Sequence, residues 1–169
     1  MAQTVTELDA ISLNRIALLH PKLREEAKRL YIEASKALKG RASIRIVQGY
    51  RTFAEQAALY AQGRTKPGAK VTNANAGSSF HNYGLAIDFC LLIDGITVSW
   101  DIAKDFDGDG AADWREVVKV FEDAGWKWGG KFSTIRDYPH LEKAFGKTWR
   151  QLLELRNAGK VDKAGYVLL

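Results

Sequence analysis

His81 and Asp88, in Ser79-Phe-His-Asn-Tyr-Gly-Leu-Ala-Ile-Asp88, and His140, in Asp137-Tyr-Pro-His140-Leu-Glu142, are the residues of this chain best suited to chemistry. Two imidazoles and one carboxylate are the donor set of an open zinc site, where three protein ligands leave a fourth position for water. Zinc held in this way brings the pKa of a water molecule to roughly 7 and polarises a carbonyl, which is hydrolytic chemistry. Spacing alone is only suggestive, because a single histidine is more often hydrogen-bonded or exposed than ligating. Two of the three histidines nevertheless stand in these contexts. The third, His20, precedes Pro21 at the entrance to a helix and reads as structural.

These side chains need elements to hold them. Leu85 to Ile93 and Ile96 to Trp100 read as strands around Asp94-Gly95, a dipeptide favoured in two-residue hairpins. Successive side chains of a strand point to opposite faces, so Asp88 would enter a cleft while Ile87 and Phe89 pack the core. A carboxylate set among apolar residues is costly unless it is paired or bound to a metal. Gly84 is placed to turn His81 back toward Asp88. His140 to Lys143 reads as a short strand, whose alternation puts Glu142 on the face of His140.

Helices are expected over Ser12–Leu19, over Pro21–Leu38 with an apolar face at helical spacing, over Asp113–Asp123 and over Trp149–Asn157. Ser43 to Val47 reads as a strand. Thr52-Phe-Ala-Glu55 is a capping box opening a helix to about Ala61. Arg51 stands between that strand and that helix, where a fixed guanidinium can hold a carboxylate in bidentate fashion. Residues 64–79 read as a long loop, of a length that is usually functional inside a compact domain. Helices and antiparallel strands in separate groups indicate an α+β fold: a small antiparallel sheet carrying the metal site, flanked by helices.

A second metal motif lies at 105–116. Asp105, Asp107, Asp109, Gly110, Asp113 and Glu116 match positions one, three, five, six, nine and twelve of a calcium loop, and Ala111 offers its carbonyl at position seven. Five carboxylates so close together repel one another without a cation. A strand-like stretch precedes the loop, so it is EF-hand-like, with no paired partner expected. Calcium would order the loop and the following helix, which leads to Trp126 and Trp128, and could thereby switch activity.

A chain of 169 residues that is 46% hydrophobic fits one domain, here 1–169, with a core at about 12–145 and a basic helical tail from about 146. One cysteine, Cys90, excludes an intrachain disulfide framework and reads as a buried small hydrophobe. The opening stretch, Met1 to Asp9, has neither the basic start nor the apolar run of a secretion signal, so synthesis and initial retention in the cytoplasm are expected. No stretch approaches the apolar length of a transmembrane segment. The formal charge of +5 favours an anionic partner. Its cations are mixed with acids along the chain, without a basic stripe of stacking aromatics, so nucleic acid is not the expected one.

Ser-x-His-x-x-Gly-x-Ala-x-Asp at 79–88 together with Pro-His-x-Glu at 139–142 resembles the signature of the LAS zinc peptidases of the D-alanyl-D-alanine carboxypeptidase type. Gln48-Gly-Tyr-Arg51-Thr52, Glu55-Gln56, Leu59-Tyr60 and Gly125-Trp-Lys-Trp128-Gly-Gly130 look like the same family. The likeness spans about residues 12–145 and is strongest to phage and bacterial L-alanyl-D-glutamate endopeptidases, including endolysins, which cut the stem peptide of peptidoglycan. The resemblance implies a LAS/Hedgehog-like fold, zinc on His81, Asp88 and His140, and Asp137 as the catalytic carboxylate. It also implies an arginine, here Arg51, for the substrate carboxylate. Glu142 is the nearest competitor of Asp137 for the catalytic role, but its alternation with His140 in a strand suits it to be a partner of that ligand instead. Gln48 and Ser79 are further candidates for hydrogen bonds to substrate, with plain loop roles equally open.

The expected enzyme is a monomer that reaches the cell wall after another factor permeabilises the membrane. Its close rival is a D-alanyl-D-alanine carboxypeptidase or dipeptidase. A non-catalytic, metal-bearing binding module of the Hedgehog type is the rival from another class, although a binder needs neither Asp137 nor Arg51.

Overall fold

The computed structural model describes residues 8–169, so most of the N-terminal stretch considered for targeting lies outside the described residues. In chain order the elements are α1 (Ala10–Ala17), α2 (Arg24–Ala37), β1 (Ala42–Gln48), α3 (Phe53–Ala61), a 3-10 turn (Phe80–Tyr83), β2 (Ala86–Ile93) and β3 (Thr97–Ser99). They continue with α4 (Asp113–Asp123), β4 (Lys127–Trp128), a second 3-10 turn (Gly129–Lys131), β5 (His140–Glu142) and α5 (Trp149–Asn157). The fold is α+β, as expected.

All five strands belong to one antiparallel sheet in the order β1-β2-β5-β4, with β3 also joined to β2. β2 is its axis. One edge pairs with β1, and the other pairs with β5 at Ala86–Asp88 and with β3 at Leu91–Ile93. Ile87, Phe89, Leu91 and Ile93 join a core with Ala27, Leu30, Tyr31 and Ala34 of α2 and with Trp114, Val117, Val118 and Phe121 of α4. Each fully buried side chain of this kind contributes about 1.5–3 kcal/mol. The even-numbered positions, Asp88 among them, therefore face away from the helices.

Several boundaries differ from the sequence reading, three of them for a clear local reason. α2 begins at Arg24 and not at Pro21, because Lys22 N–H donates to Nδ1 of His20 and the amides of Leu23 and Arg24 return to the His20 carbonyl, closing a separate turn. α1 begins at Ala10, where Asp9 caps it by accepting from Ser12 N. Pairing of Ile93 with Thr97 leaves three residues in the hairpin connection, not two. Asp94 is held there by its amide on the Arg41 carbonyl and its carboxylate on the Arg41 guanidinium, 2.5 Å away.

Candidate metal centre and cleft

His81 sits on the first 3-10 turn, whose N-cap Ser79 accepts from the His81 amide at 3.3 Å. Gly84 closes that turn at φ 68°, a left-handed conformation that suits glycine. Nδ1 of His81 bonds the Gly49 carbonyl at 2.8 Å, and a carbonyl can only accept, so this nitrogen carries the proton. The lone pair of Nε2 then faces Asp88 Oδ1, 3.3 Å away.

Antiparallel register puts Asp88 directly opposite His140 on β5 and opposite Gln48 on β1. Nδ1 of His140 lies 3.1 Å from Asp88 Oδ1, while its Nε2 lies 2.8 Å from Glu142 Oε2. Glu142 thus shares the face of its strand neighbour two residues back. One ligand atom from each of His81, Asp88 and His140 falls within 4.8 Å of the others.

This donor set fits a divalent cation. Both imidazoles have their outer nitrogens engaged by acceptors, which turns the inner lone pairs toward a carboxylate, an arrangement that is repulsive unless something positive lies between them. Without a cation, protons take that role. Burial lowers the basicity of His140, but the hydrogen bonds it donates to Asp88 and Glu142 prevail and it is pushed up to about 9. Burial likewise opposes ionisation of Asp88, yet the two histidines hold its carboxyl far below the usual range.

A cleft of about 500 Å³ opens over this cluster, lined also by Gln48, Arg51, Ser79 and Asp137. Asp137 stands exposed at its wall. Enough protein surrounds the carboxyl that burial, followed by the charge of Asp88, pushes its pKa upward. Among the described residues Arg51 makes no ion pair: its Nη1 donates to Gln56 Oε1 at 2.9 Å, and Nε is buried without a partner. Burial lowers its pKa against the pull of Asp88, Glu55 and Asp137.

Two supporting residues have no role in the sequence reading, although Gln56 stands in the family-like pair Glu55-Gln56. Gln56 is fully buried in α3 and, besides holding Arg51, donates to the Ala74 carbonyl at 2.7 Å. Asn82 donates to the Arg51 carbonyl at 3.0 Å and accepts from Gly77 N, tying the cleft loop to the anchor. Structure adds that Gln56 holds the buried position of α3.

The acidic loop is folded on itself. Asp105 accepts from Gly108 N and Gly110 N, Asp107 from Asp109 N, and Asp109 from Ala111 N. Two clusters form, Asp105 with Asp107 and Asp113, and Asp107 with Asp109 and Glu116. Asp113 is fully buried, and its Oδ2, like Oε2 of Glu116, has no hydrogen-bond partner among the described residues. Burial, reinforced by all four aspartates, pushes Glu116 up to about 7. Unpartnered buried carboxylate oxygens of this kind fit a hard cation that takes oxygen ligands.

Residues 72–143 match a family model described as D-alanyl-D-alanine carboxypeptidase. Over 124 residues, 73% of this chain and 72% of the relative, the sequence is 46% identical to the peptidoglycan L-alanyl-D-glutamate endopeptidase CwlK of Bacillus subtilis. The crystal structure of the L-Ala D-Glu endopeptidase ChiX of Serratia marcescens shares the fold, with a TM-score of 0.53 at 22% identity over 84% of this chain and 96% of that one. Identity at that level over most of both sequences, joined to the matched motif region, makes this chain a member of the D-alanyl-D-alanine carboxypeptidase family of peptidases.

Proposed function

We propose that the protein is a zinc-dependent peptidoglycan endopeptidase of endolysin type, cutting the L-alanyl-D-glutamate bond of the stem peptide. The observation that carries this reading is the convergence of His81 Nε2, Asp88 Oδ1 and His140 Nδ1 in a cleft shared with Asp137 and Arg51. The activity named for CwlK, 46% identical, supports the choice of bond.

Held by these three residues, zinc supplies Lewis acidity for a carbonyl and acidifies a water. The Gly49 carbonyl and Glu142 keep the two rings oriented. Asp137, its pKa raised, takes a proton from the attacking water and returns it to the leaving amine. The partly desolvated guanidinium of Arg51, with Nε free, anchors a substrate carboxylate. D-Glutamate offers one, because it is joined onward through its side chain and keeps its α-carboxyl; terminal D-alanine offers the same group, so the choice of bond rests on the relative and not on Arg51. Gln48, paired with Asp88, and Ser79 supply hydrogen bonds at the same wall. Residues 1–169 act as one peptidase domain.

Calcium is the second ion of this reading, held by Asp105, Asp107, Asp109, the Ala111 carbonyl, Asp113 and Glu116. Bound there, it would order the loop and the start of α4 and so tune activity.

Mass spectrometry of digested peptidoglycan, with Zn²⁺ and Ca²⁺ varied independently, tests the assignment. New N-terminal D-glutamate is expected. Release of free D-alanine or its dipeptide would replace this reading by the carboxypeptidase one, which the family description favours.

A further inference from the structure

We propose that Trp114 and Trp128 are positioning residues for proton transfer, because their two indole N–H groups clamp one carbonyl, that of Tyr138, and so fix the turn from Asp137 to His140. The inference rests on the reading of Asp137 as the proton-transferring group. Nε1 of Trp128 donates to the Tyr138 oxygen at 2.7 Å and Nε1 of Trp114 donates to it at 3.3 Å. Both indoles are buried. A carbonyl oxygen has two lone pairs, and here each receives a donor from a different element, α4 and β4.

Asp137 depends on this clamp. Among the described residues no hydrogen bond reaches its carboxylate, and the residues before it, Ser133 to Arg136, are exposed. Backbone contacts hold it instead: its amide donates to Gly129 O at 3.0 Å, and its carbonyl accepts from His140 N at 3.2 Å. On the far side Phe89 N donates to Pro139 O at 3.1 Å. The peptide between these points is that of Tyr138, and among the described residues its oxygen accepts from the two tryptophans alone. Gly129 seals the contact from below, since a Cβ there would collide with the Asp137 carbonyl.

The clamp also reaches the acidic loop. Trp114 follows Asp113 directly, and the guanidinium of Arg115 lies 4.5 Å over the Trp128 ring, so the first turn of α4 carries one indole and contacts the other. Movement of the loop is thereby transmitted to the turn that bears Asp137.

Replacing Trp114 by 3-benzothienylalanine removes the N–H and keeps the ring size. The zinc-loaded protein with this side chain is expected to retain its zinc stoichiometry and KM, to lose about 10-fold in kcat on a stem peptide, and to exchange the amides of Asp137 and His140 faster. Unchanged kcat and unchanged exchange would overturn the proposal. So would an equal effect from Val118→Ala, which loosens the packing of α4 without touching an N–H. Asp137→Ala assayed alongside separates the two levels: if it keeps full kcat, the functional reading fails. The exchange rates still report whether the indoles hold the turn.

Discussion

At the scale of the residue, the centre is governed by which nitrogen of each imidazole is occupied. His81 has no freedom, because its Nδ1 is committed to the Gly49 carbonyl. His140 is committed on the other side, through Nε2 to Glu142. Glu142, an acid so near the motif, was a competitor for the catalytic role in the sequence. Its bond to His140 gives it another task, that of fixing the ring and enriching its inner lone pair. Glu142→Gln keeps an acceptor but loses the charge, and zinc affinity measured by chelator competition is expected to fall by about 10- to 100-fold. Unchanged affinity would remove Glu142 from the centre.

At the scale of the element, α4 and the loop before it form one lever. The loop is seated against the end of α2: Lys39 N donates to Asp107 Oδ2 at 3.3 Å, and a Cβ on Gly40 would lie 2.6 Å from the Asp107 Cβ. Gly40→Ala should therefore push a calcium ligand out of place without altering any ligand. With calcium at 100 times its Kd, the wild type should gain about 2.7 kcal/mol. A gain of that size corresponds to about 5–10 °C in Tm for a chain of this length. In Gly40→Ala the calcium-dependent rise should shrink or vanish, as read by thermal unfolding; an undiminished rise would show that Asp107 does not ligate. The loop motif was legible because its spacing is local. β4 was not, since a strand of two residues carries no periodicity and exists only by pairing Lys127 and Trp128 with β5.

At the scale of the whole molecule, the C-terminal segment returns to the start of the chain. His20 Nε2–H donates to the Val167 carbonyl at 2.7 Å while its Nδ1 accepts from Lys22 N, so both nitrogens are used by the neutral ring. The Tyr166 hydroxyl donates to Leu18 O, and its ring lies 5.7 Å from that of Tyr50, next to the anchor Arg51. Burial lowers the pKa of His20, with the Val167 carbonyl and Asp162 pulling the other way. A depressed folded pKa means that the unfolded chain binds more protons. Stability from this group is therefore complete above its unfolded value of 6.5 and is lost as pH falls through the folded value. Denaturant titrations of metal-saturated protein should show a stability slope on the acid side steeper in the wild type than in His20→Gln. The excess is at most about 1.4 kcal/mol per pH unit, and equal slopes would contradict the assignment. His20 was legible as structural from its place before Pro21, but its partner, 147 positions away, was not.

The sequence by itself determined the donor types, the pairing of motifs at 79–88 and 139–142, the core face of β2 and the calcium-loop pattern. Each depends on neighbours within a few residues, where backbone periodicity and turn chemistry act. Tertiary structure decided what depends on distant segments meeting. The register of β2 against β5 sets Asp88 opposite His140. Burial of Gln56 aims Arg51 into the cleft, and the Gly49 carbonyl selects the tautomer of His81. Two tryptophans from separate elements close on one carbonyl beside Asp137. Such contacts arise from packing and hydrogen-bond satisfaction across the whole core, and no stretch of sequence encodes them alone.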